Sequence, residues 1–349
     1  MDFSRLLTHF AFTGAIFLCS AGLTYVMARF VRIMDRPNLR SSHTRPVPKS
    51  GGIAIVATFV LGSLILYFFS DAARISESTF WAFVISTVLL ALVSFADDIL
   101  QKAFLAKILT QILCASVVLA SGVVINRLAV PYLGEIPLGG VGYVLTLLWI
   151  LGLTNAYNFM DGLDGLAAGV AVIAAAFLCA IAFQQKSVFV YVSSYVLLAG
   201  AAGFLVFNLP PARIFMGDVG SAFLGFTFAT LAVIGASLDL GHLSFYVVPM
   251  LLFHFIFDAA FTFFRRLLRG EKVHHAHRAH LYQLLNQLGY SHRAVSLFHY
   301  VVTAVQGAAA YASLGLPADR RLLLFIPLLI FDIAYARWVL RRAKAVGLI

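Results

Sequence analysis

Long apolar stretches dominate this sequence and decide what it can fold into. Hydrophobic residues make up 61% of the 349 residues, and charged residues make up only 11%. A helix needs roughly 20 apolar residues to cross a membrane core of about 30 Å. Runs close to that length occur at residues 8–30, 52–70, 79–96, 104–125, 141–157, 165–184, 187–207, 219–237, 244–264, 294–315 and 321–339. The sequence therefore predicts an all-α polytopic membrane protein with about 11 transmembrane helices (10–11), rather than a soluble domain.

The whole chain, residues 1–349, is predicted to form a single integral membrane domain. It contains no low-complexity segment and no convincing internal repeat of the kind found in many secondary transporters. The first apolar run is too long for a signal peptide and leads into a basic loop, so we expect it to remain as a span. Prolines and glycines between short apolar pairs, from Asn126 to Gly140, indicate a small hairpin or an ordered loop.

Basic residues are distributed unevenly between alternate loops. Nineteen of the 25 Lys and Arg residues fall on the face opposite the N-terminus. Because Lys and Arg are retained on the cytoplasmic side, we expect a periplasmic N-terminus and a cytoplasmic C-terminus. This topology and the anionic headgroups of the lipid bilayer explain the formal charge of +10, so the sequence gives no reason to expect nucleic-acid binding.

Five carboxylates lie at the ends of apolar stretches, all on the predicted cytoplasmic face: Asp97, Asp98, Asp161, Asp164 and Asp218. An ionised group at a helix centre costs roughly 2.5–3.5 kcal/mol and less near its ends, so acids kept there indicate a functional site. The adjacent Asp97 and Asp98 repel each other unless a proton or a cation lies between them. Hard oxygen ligands favour Mg²⁺ or Mn²⁺, and Mg²⁺ is often shared with substrate phosphates. A solvated helix end with a salt bridge is the alternative.

Polar residues accompany these acids. Lys107 and Gln111 are four residues apart, so they share one face of the next helix, and we expect that face to point toward the acidic pair. A ladder of polar residues recurs at every third position: Asn155, Asn158, Asp161 and Asp164. This spacing keeps successive side chains close on one side of a helix or tight turn, where they can hold a metal or a nucleotide sugar. A purely structural ladder is the alternative.

Asp218 lies between Gly217 and Gly220 at the start of a span, shortly after Arg213. A helix N-terminus offers free N–H groups and a partial positive charge, so Asp218 can serve simply as a cap. Its location on the same face as four other acids favours a metal ligand instead.

Two basic loops complete the pattern. The first runs from Asp35 to Gly52, contains three prolines, and serves either as a positive-inside anchor or as a substrate loop. The second runs from Arg265 to Gln283 and is rich in cationic side chains, including His274, His275, His277, Arg278 and His280. Arg and protonated His bind phosphate through charge-assisted hydrogen bonds, so this loop suits a diphosphate. A Zn²⁺ site formed by His274, His277 and His280 is the alternative, although no H-E-x-x-H pattern accompanies them.

Along the chain the five motifs are the first basic loop, the acidic pair, the polar ladder, the segment around Asp218 and the second basic loop. In this order, between Asp35 and Gln283, they resemble the polyprenyl-phosphate N-acetylhexosamine-1-phosphate transferases of glycosyltransferase family 4. The resemblance implies a Mg²⁺-dependent enzyme (Mn²⁺ as a substitute) of the bacterial inner membrane. It would transfer N-acetylhexosamine-1-phosphate from a UDP-N-acetylhexosamine to undecaprenyl phosphate and release UMP. Both substrates and the bilayer would be its partners, and a homodimer is left open.

The resemblance also implies roles for individual residues. Four would be catalytic: Asp97, Asp98, His277 and His280. Asp98 and Asp218 would bind the metal. The substrate-binding residues would be Arg40, His43, Lys107, Asn155, Asn158, Asp161, Asp164, Arg213, His274 and Arg278.

The sequence departs from the family pattern in both basic loops. Residues 40–43 read Arg-Ser-Ser-His where many members carry a Lys after the Arg, and residues 277–280 read His-Arg-Ala-His rather than a tighter His-x-His-His. Both variants look like the branch that initiates O-antigen or related surface polysaccharides. A secondary transporter is a weaker hypothesis, because its acids would lie near the midplane. A non-catalytic scaffold, which would tolerate alanine at Asp97 or Asp218, is also weaker.

Two further pairs of polar residues fall inside apolar runs. His254 and Asp258 are four residues apart in the ninth run, and their spacing predicts a buried ion pair or hydrogen bond as readily as a catalytic role. Asp332 and Arg337 in the last run are expected to pair across the helix end. His292 and His299 belong to no recognisable cluster.

Overall fold

The computed structural model describes residues 3–31, 33–37, 42, 45–70, 75–100, 104–239, 241, 243–271 and 278–349. The chain is mainly helical. Its helices in order are α1 (Phe3–Phe30), α2 (Gly52–Phe69), α3 (Glu77–Leu100), α4 (Phe104–Ala120), α5 (Gly140–Phe159), α6 (Leu166–Gln184), α7 (Val188–Asn208), α8 (Gly217–Ser237), α9 (Val247–Leu251), α10 (Phe253–Leu268), α11 (Leu281–Gln287), α12 (His292–Ala312) and α13 (Phe325–Ala345). Short 3₁₀ turns, Ser313–Gly315 and Ala318–Leu324, connect the last two helices.

The mainly helical architecture agrees with the predicted all-α polytopic membrane protein, and two short antiparallel hairpins interrupt the helices in the described part of the chain. Strand β1 (Met34–Asp35) pairs with β2 (Val47–Pro48) inside the first basic loop. Strand β3 (Arg127–Val130) pairs with β4 (Gly134–Pro137), which confirms the hairpin between α4 and α5. The first hairpin was not predicted, because two-residue strands beside prolines leave no alternating pattern in the sequence.

Eight helices of the described residues are long and apolar enough to cross a membrane, which makes the chain a multi-pass membrane protein. They correspond to α1, α2, α3, α5, α6, α7, α8 and the segment Ala318–Ala345 that includes α13. Helix α4 is apolar but shorter, and α12 contains several polar residues. The predicted run at residues 244–264 is not one helix, because the helix is interrupted at Leu252, between α9 and α10. The count of 11 spans and the orientation remain predictions.

Helix α8 lies at the centre of the bundle, and 94% of its apolar segment is buried inside the protein. Helices α3 and α5 pack against it, and α6 and α7 pack against each other. Aromatic side chains fill the space around α8, with the Phe59 ring 5.3 Å from Phe223 and the Phe83 ring 6.4 Å from Phe226. Because lipid tails are as apolar as these side chains, close packing rather than water exclusion holds such helices together.

One end of the bundle collects the polar motifs. The C-terminal ends of α3 and α5 and the first turns of α4 and α8 meet there. Side chains predicted from separate motifs are thereby brought within hydrogen-bonding distance of one another.

Candidate active site

Asp98 occupies the last turn of α3 and is only 7% exposed. Its Oδ1 lies 3.3 Å from the ammonium nitrogen of Lys49, which follows strand β2. Its Oδ2 is buried and has no hydrogen-bond partner among the described residues. A buried carboxylate oxygen without a donor is costly, so this atom is suited to receive a cation or a proton.

Backbone contacts between the first basic loop and the start of α8 position Lys49. The Gly51 N–H donates to the Phe215 carbonyl at 3.0 Å, and the Gly52 N–H donates to the Met216 carbonyl at 3.0 Å. A Cβ atom at Gly52 would overlap the backbone of Gly220. Only glycine therefore allows the start of α2 to approach α8 this closely.

Asp218 in the first turn of α8 is the centre of a hydrogen-bond network. The Lys107 ammonium group donates to Asp218 Oδ2 and also lies 3.3 Å from Asn158 Oδ1. The Asn158 amide donates to Asp218 Oδ1 at 3.0 Å and to the Ser221 hydroxyl at 2.7 Å. Three helices, α4, α5 and α8, are joined at this carboxylate. Lys107 thus contacts Asp218, and its predicted orientation toward the Asp97–Asp98 pair stays a prediction.

Gly217 brings the two carboxylates together. Its φ of +68° lies in the left-handed region, and an added Cβ would lie 2.5 Å from Asp98 Oδ2. A side chain at this position would be strained and would displace Asp98. The structure thus places Asp98 directly against the N-terminus of α8, beside Asp218.

Asp161 follows α5 in the turn that leads to α6, outside the spans. Burial, together with the charges of Asp218 and Asp98, raises the pKa of Asp161 to about 8. The carboxyl group is therefore neutral over most of the physiological range until positive charge enters the site.

The carboxylates Asp98 and Asp218 have the oxygen chemistry of a divalent-cation site. No three His, Cys, Asp or Glu side chains converge on a metal position within the described ranges. Mg²⁺ needs no such cage, because it commonly takes one or two carboxylates and completes its shell with substrate phosphates and water. The unpartnered oxygen of Asp98 beside Asp218 fits this kind of shared site.

A second amide pair lies one turn farther along α4 and α5. The Asn155 amide donates to Gln111 Oε1 at 2.7 Å, and the Gln111 amide lies 3.4 Å from Asn155 Oδ1. The pair supports the Lys107–Asn158 contact from the bundle interior. Asn155 and Asn158 thus face the same helix, as their spacing predicts.

Asp164 contacts a different set of groups from the other members of the ladder. Its Oδ2 accepts from the Ala212 N–H at 3.0 Å, and its Oδ1 lies 3.2 Å from His292 Nδ1. The other ring nitrogen of His292 lies 3.1 Å from the Ser42 carbonyl oxygen. The Ser296 hydroxyl donates to the Asp164 carbonyl at 2.9 Å. Asp164 therefore links the α7–α8 loop to the start of α12, and His292 in turn contacts the first basic loop.

His280 is held by a buried carboxylate that sequence reasoning left unassigned. Its Nδ1 lies 3.2 Å from Asp258 Oδ1. Asp258 also accepts from the backbone N–H groups of Leu281 at 2.9 Å and Tyr282 at 3.1 Å. The same carboxylate therefore caps α11 and orients the last histidine of the second basic loop.

The two expected pairs within apolar runs do not form as predicted. Asp258 bonds to His280 and to the Thr262 hydroxyl rather than pairing with His254. His254 Nδ1 instead lies 2.5 Å from Asp332 Oδ1, between α10 and α13. Sequence spacing along α10 did not reveal the contacts with His280 and Asp332, because both of these partners lie outside that helix.

Arg278 and Arg213 border the site. The Arg278 guanidinium lies 3.4 Å from the Ser42 hydroxyl, which connects the two basic loops. Arg213 is exposed on the loop before α8. Asp97 is half-buried beside Asp98. Four predicted residues lie outside the described part of the chain: Arg40, His43, His274 and His277.

Sequence reasoning missed three contributors to this cluster. Lys49 belongs to the first basic loop and was assigned no individual role, although its position just before Gly51 and Gly52 could have indicated the contact. Ser221 lies three residues after Asp218 and was assigned no role. His292 had no recognisable neighbour in the sequence, because its partner Asp164 lies 128 residues away.

The fold and this cluster define a polytopic membrane protein with a carboxylate and lysine site at one end of its bundle. The family model of glycosyl transferase family 4 matches residues 80–236, which include most of that cluster. A probable undecaprenyl-phosphate N-acetylglucosaminyl 1-phosphate transferase of Bacillus subtilis is 33% identical over 270 residues, covering 77% of this chain and 74% of the relative. The chain therefore belongs to glycosyl transferase family 4.

Other relatives match over a shorter region. A phospho-N-acetylmuramoyl-pentapeptide-transferase of Latilactobacillus sakei is 38% identical over 109 residues, which is 31% of this chain and 34% of the relative. One from Listeria innocua is 41% identical over 110 residues, with the same coverage of 31% and 34%. This chain thus aligns with only about a third of each pentapeptide-transferase.

Proposed function

We propose that this protein transfers N-acetylhexosamine-1-phosphate from a UDP-N-acetylhexosamine to undecaprenyl phosphate and releases UMP. The observation that carries the proposal is the meeting of Asp98, Asp218, Lys49 and Lys107 at the start of α8. Carboxylates suited to a divalent cation, next to lysines, form a site for a diphosphate at the end of a membrane bundle. The name of the Bacillus subtilis relative supports the same reaction.

The chemistry is an in-line phosphoryl transfer. A phosphate oxygen of the lipid acceptor attacks the β-phosphorus of the nucleotide sugar, and the bond from that phosphorus to the bridging oxygen breaks as UMP leaves. The acceptor is largely dianionic at neutral pH, because the second pKa of a phosphate monoester is about 6. A strong base is therefore unnecessary, and the main task of the site is to orient both phosphates and to neutralise charge.

The residues divide this task. The ammonium groups of Lys49 and Lys107 would bind phosphate oxygens as charge develops on them. Asn158 positions the side chains of Lys107 and Asp218 next to each other through the hydrogen bonds described above. Asp98 and Asp218 would hold Mg²⁺, which when bound supplies additional positive charge to the diphosphate.

Asp97 is assigned no covalent step in this direct route. A two-step route, with Asp97 as nucleophile, would leave a phospho-enzyme when the acceptor is omitted. Incubation with donor labelled in the β-phosphate, without acceptor, distinguishes the two, because a labelled protein would contradict direct transfer.

UMP release tests the proposed reaction. Purified protein would be incubated with Mg²⁺, undecaprenyl phosphate and one of several UDP-N-acetylhexosamines. We expect acceptor-dependent UMP release that Asp98→Asn abolishes. Asp239→Asn is the matched control, because Asp239 is also a buried carboxylate but bonds to Ser187 and Val190 between α6 and α7. No UMP release with any donor from the folded protein would contradict the proposal.

The donor and the product pathway extend the proposal. UDP-N-acetylglucosamine is the first donor to test, given the name of the Bacillus subtilis relative. The variant basic loops favour initiation of O-antigen or another surface polysaccharide at a bacterial inner membrane. A deletion strain that retains its surface polysaccharide would contradict that role.

A further inference from the structure

A cavity of about 540 Å³ lies between α11, α12 and α13. None of its wall residues belongs to the candidate active site. The wall is almost entirely apolar and is formed by Leu285, Tyr290, Ala294, Val295, Phe298, Phe331, Ala334, Tyr335 and Trp338. A cavity with this lining suits a hydrocarbon chain.

Helix α13 contributes an amphipathic stripe to the cavity. Phe331, Tyr335 and Trp338 are spaced by three or four residues and therefore share one face of the helix. The same spacing continues to Arg341 and Arg342 in the last turns. The Arg342 guanidinium lies 5.9 Å from the centre of the Trp338 ring. The apolar wall thus ends at a pair of cations.

The charge around this end of the cavity is strongly one-sided. Between residues 285 and 349 the sequence contains two acids, Asp319 and Asp332. Asp332 is fully buried against His254, and Asp319 lies in the 3₁₀ turn that precedes α13. Arg293, beside Ala294 of the cavity wall, adds to the basic residues at the end of α13. A positively charged rim next to an apolar cavity complements an anionic headgroup.

The mouth and the wall contain two further features of a lipid site. Tyr290 and Trp338 are 45% and 42% exposed, and their rings lie 6.4 Å apart. Such half-exposed aromatics occur where a membrane meets water. Tyr335 in the wall is buried, and its hydroxyl has no hydrogen-bond partner among the residues that the structure describes. A buried hydroxyl of this kind is suited to an ester oxygen of a bound ligand.

We propose that this cavity binds one anionic phospholipid. Its acyl chain would lie against Phe298, Phe331 and Trp338, and its phosphate would contact Arg341 and Arg342. The apolar cavity alone would accept any acyl chain. The basic rim makes the site selective for an anionic headgroup over a zwitterionic one.

Quenching of Trp338 fluorescence tests this site. Full-length protein would be placed in phosphatidylcholine nanodiscs, and brominated phosphatidylglycerol would replace part of the lipid in increasing fractions. A parallel series would use brominated phosphatidylcholine. The contribution of Trp338 is the difference between the wild type and Trp338→Phe. We expect half-maximal quenching of Trp338 at a mole fraction of phosphatidylglycerol that is roughly tenfold lower than that of phosphatidylcholine.

Two variants separate the rim from the cavity. The double variant Arg341→Gln and Arg342→Gln should remove the preference for phosphatidylglycerol, and Ala334→Phe, which fills the cavity, should reduce quenching by both lipids. Arg320→Gln with Arg321→Gln is the matched control, because these arginines lie before α13, at the end of the helix away from the rim. Retention of UMP release, or of the elution volume and melting temperature, verifies that each variant is folded.

Three outcomes would overturn the proposal. Equal quenching by the two lipids would show a surface without headgroup selectivity. Loss of the preference in the Arg320 and Arg321 control would show a general charge effect. Absence of quenching together with crosslinking between Trp338→Cys copies would show that a second copy of the chain covers the cavity instead.

Discussion

Replacement of Asp258 by asparagine should separate the orientation of His280 from the stability of the bundle. Asp258 is 0% exposed and bonds to two backbone N–H groups, to the Thr262 hydroxyl and to His280. Asparagine keeps one acceptor oxygen but presents an N–H₂ group to partners that are themselves donors. At least one donor at the start of α11 then loses its acceptor.

The contacts set the size of the effect. Leaving a buried donor without its acceptor costs roughly 1–3 kcal/mol, and more where the acceptor carried a charge. We therefore expect a loss of about 3 kcal/mol in the free energy of unfolding, since asparagine retains one of the bonds. If His280 binds a substrate phosphate, loss of a charge-assisted bond worth about 1.5–3 kcal/mol lowers kcat/KM by roughly 10- to 100-fold.

Asp239→Asn provides the comparison. Asp239 is also buried, and it accepts from the Ser187 hydroxyl at 2.6 Å and the Val190 N–H at 3.2 Å at the start of α7. We expect both variants to lower the apparent melting temperature in detergent. Only Asp258→Asn should lower UMP release when both are assayed well below their melting temperatures.

A double-mutant cycle with His280→Gln provides the sharper test. If Asp258 acts through His280, the two substitutions together should lower kcat/KM little more than His280→Gln alone. Fully additive losses would refute this reasoning. Equal activity in Asp258→Asn and Asp239→Asn, at equal loss of stability, would also refute it.

Three further substitutions probe the cluster at α8. Lys107→Met removes the cation shared by Asp218 and Asn158 and should reduce UMP release by about 100-fold or more. Lys344→Met, at an exposed lysine, is the control and should leave UMP release unchanged. If Lys107→Met retains its activity, Lys107 does not belong to the site. Gly217→Ala should lower the free energy of unfolding by about 1–2 kcal/mol because of its positive φ, and it should abolish activity because the added Cβ displaces Asp98. Gly122→Ala, where φ is +99° and the space is open, should lose stability only. An active Gly217→Ala variant would contradict this packing. The pKa of Asp161 is raised from 3.8 to about 8, so the folded protein binds an extra proton and its stability in EDTA should fall as pH rises across that interval. Asp161→Asn should flatten that decline in melting temperature, and an unchanged slope would show that another group causes it.

The positions of most helices could be predicted because hydrophobic run length is a local property. The runs at 52–70, 165–184, 187–207 and 219–237 agree closely with α2, α6, α7 and α8. The ninth run failed, since apolar composition continues through Leu252 where the helix breaks. Composition reports burial in lipid or protein and is insensitive to such a break.

The membership of the site was partly predictable for a different reason. Lys107 and Asn158 follow helical spacing from their neighbours, so their shared direction could be inferred before the structure was known. Contacts of Lys49 with Asp98 and of His292 with Asp164 join segments that are distant in sequence. Their formation depends on how α2, α3 and α12 pack, and no local pattern records it.

Lys49 and Lys107 act as internal counterions in the structure, since each already neutralises a carboxylate. A nucleotide diphosphate that takes up their ammonium groups would leave Asp98 and Asp218 without their cationic partners. Binding is then an exchange of ionic partners at nearly constant local charge. The nucleotide sugar and a divalent cation should consequently bind together, because each makes binding of the other more favourable.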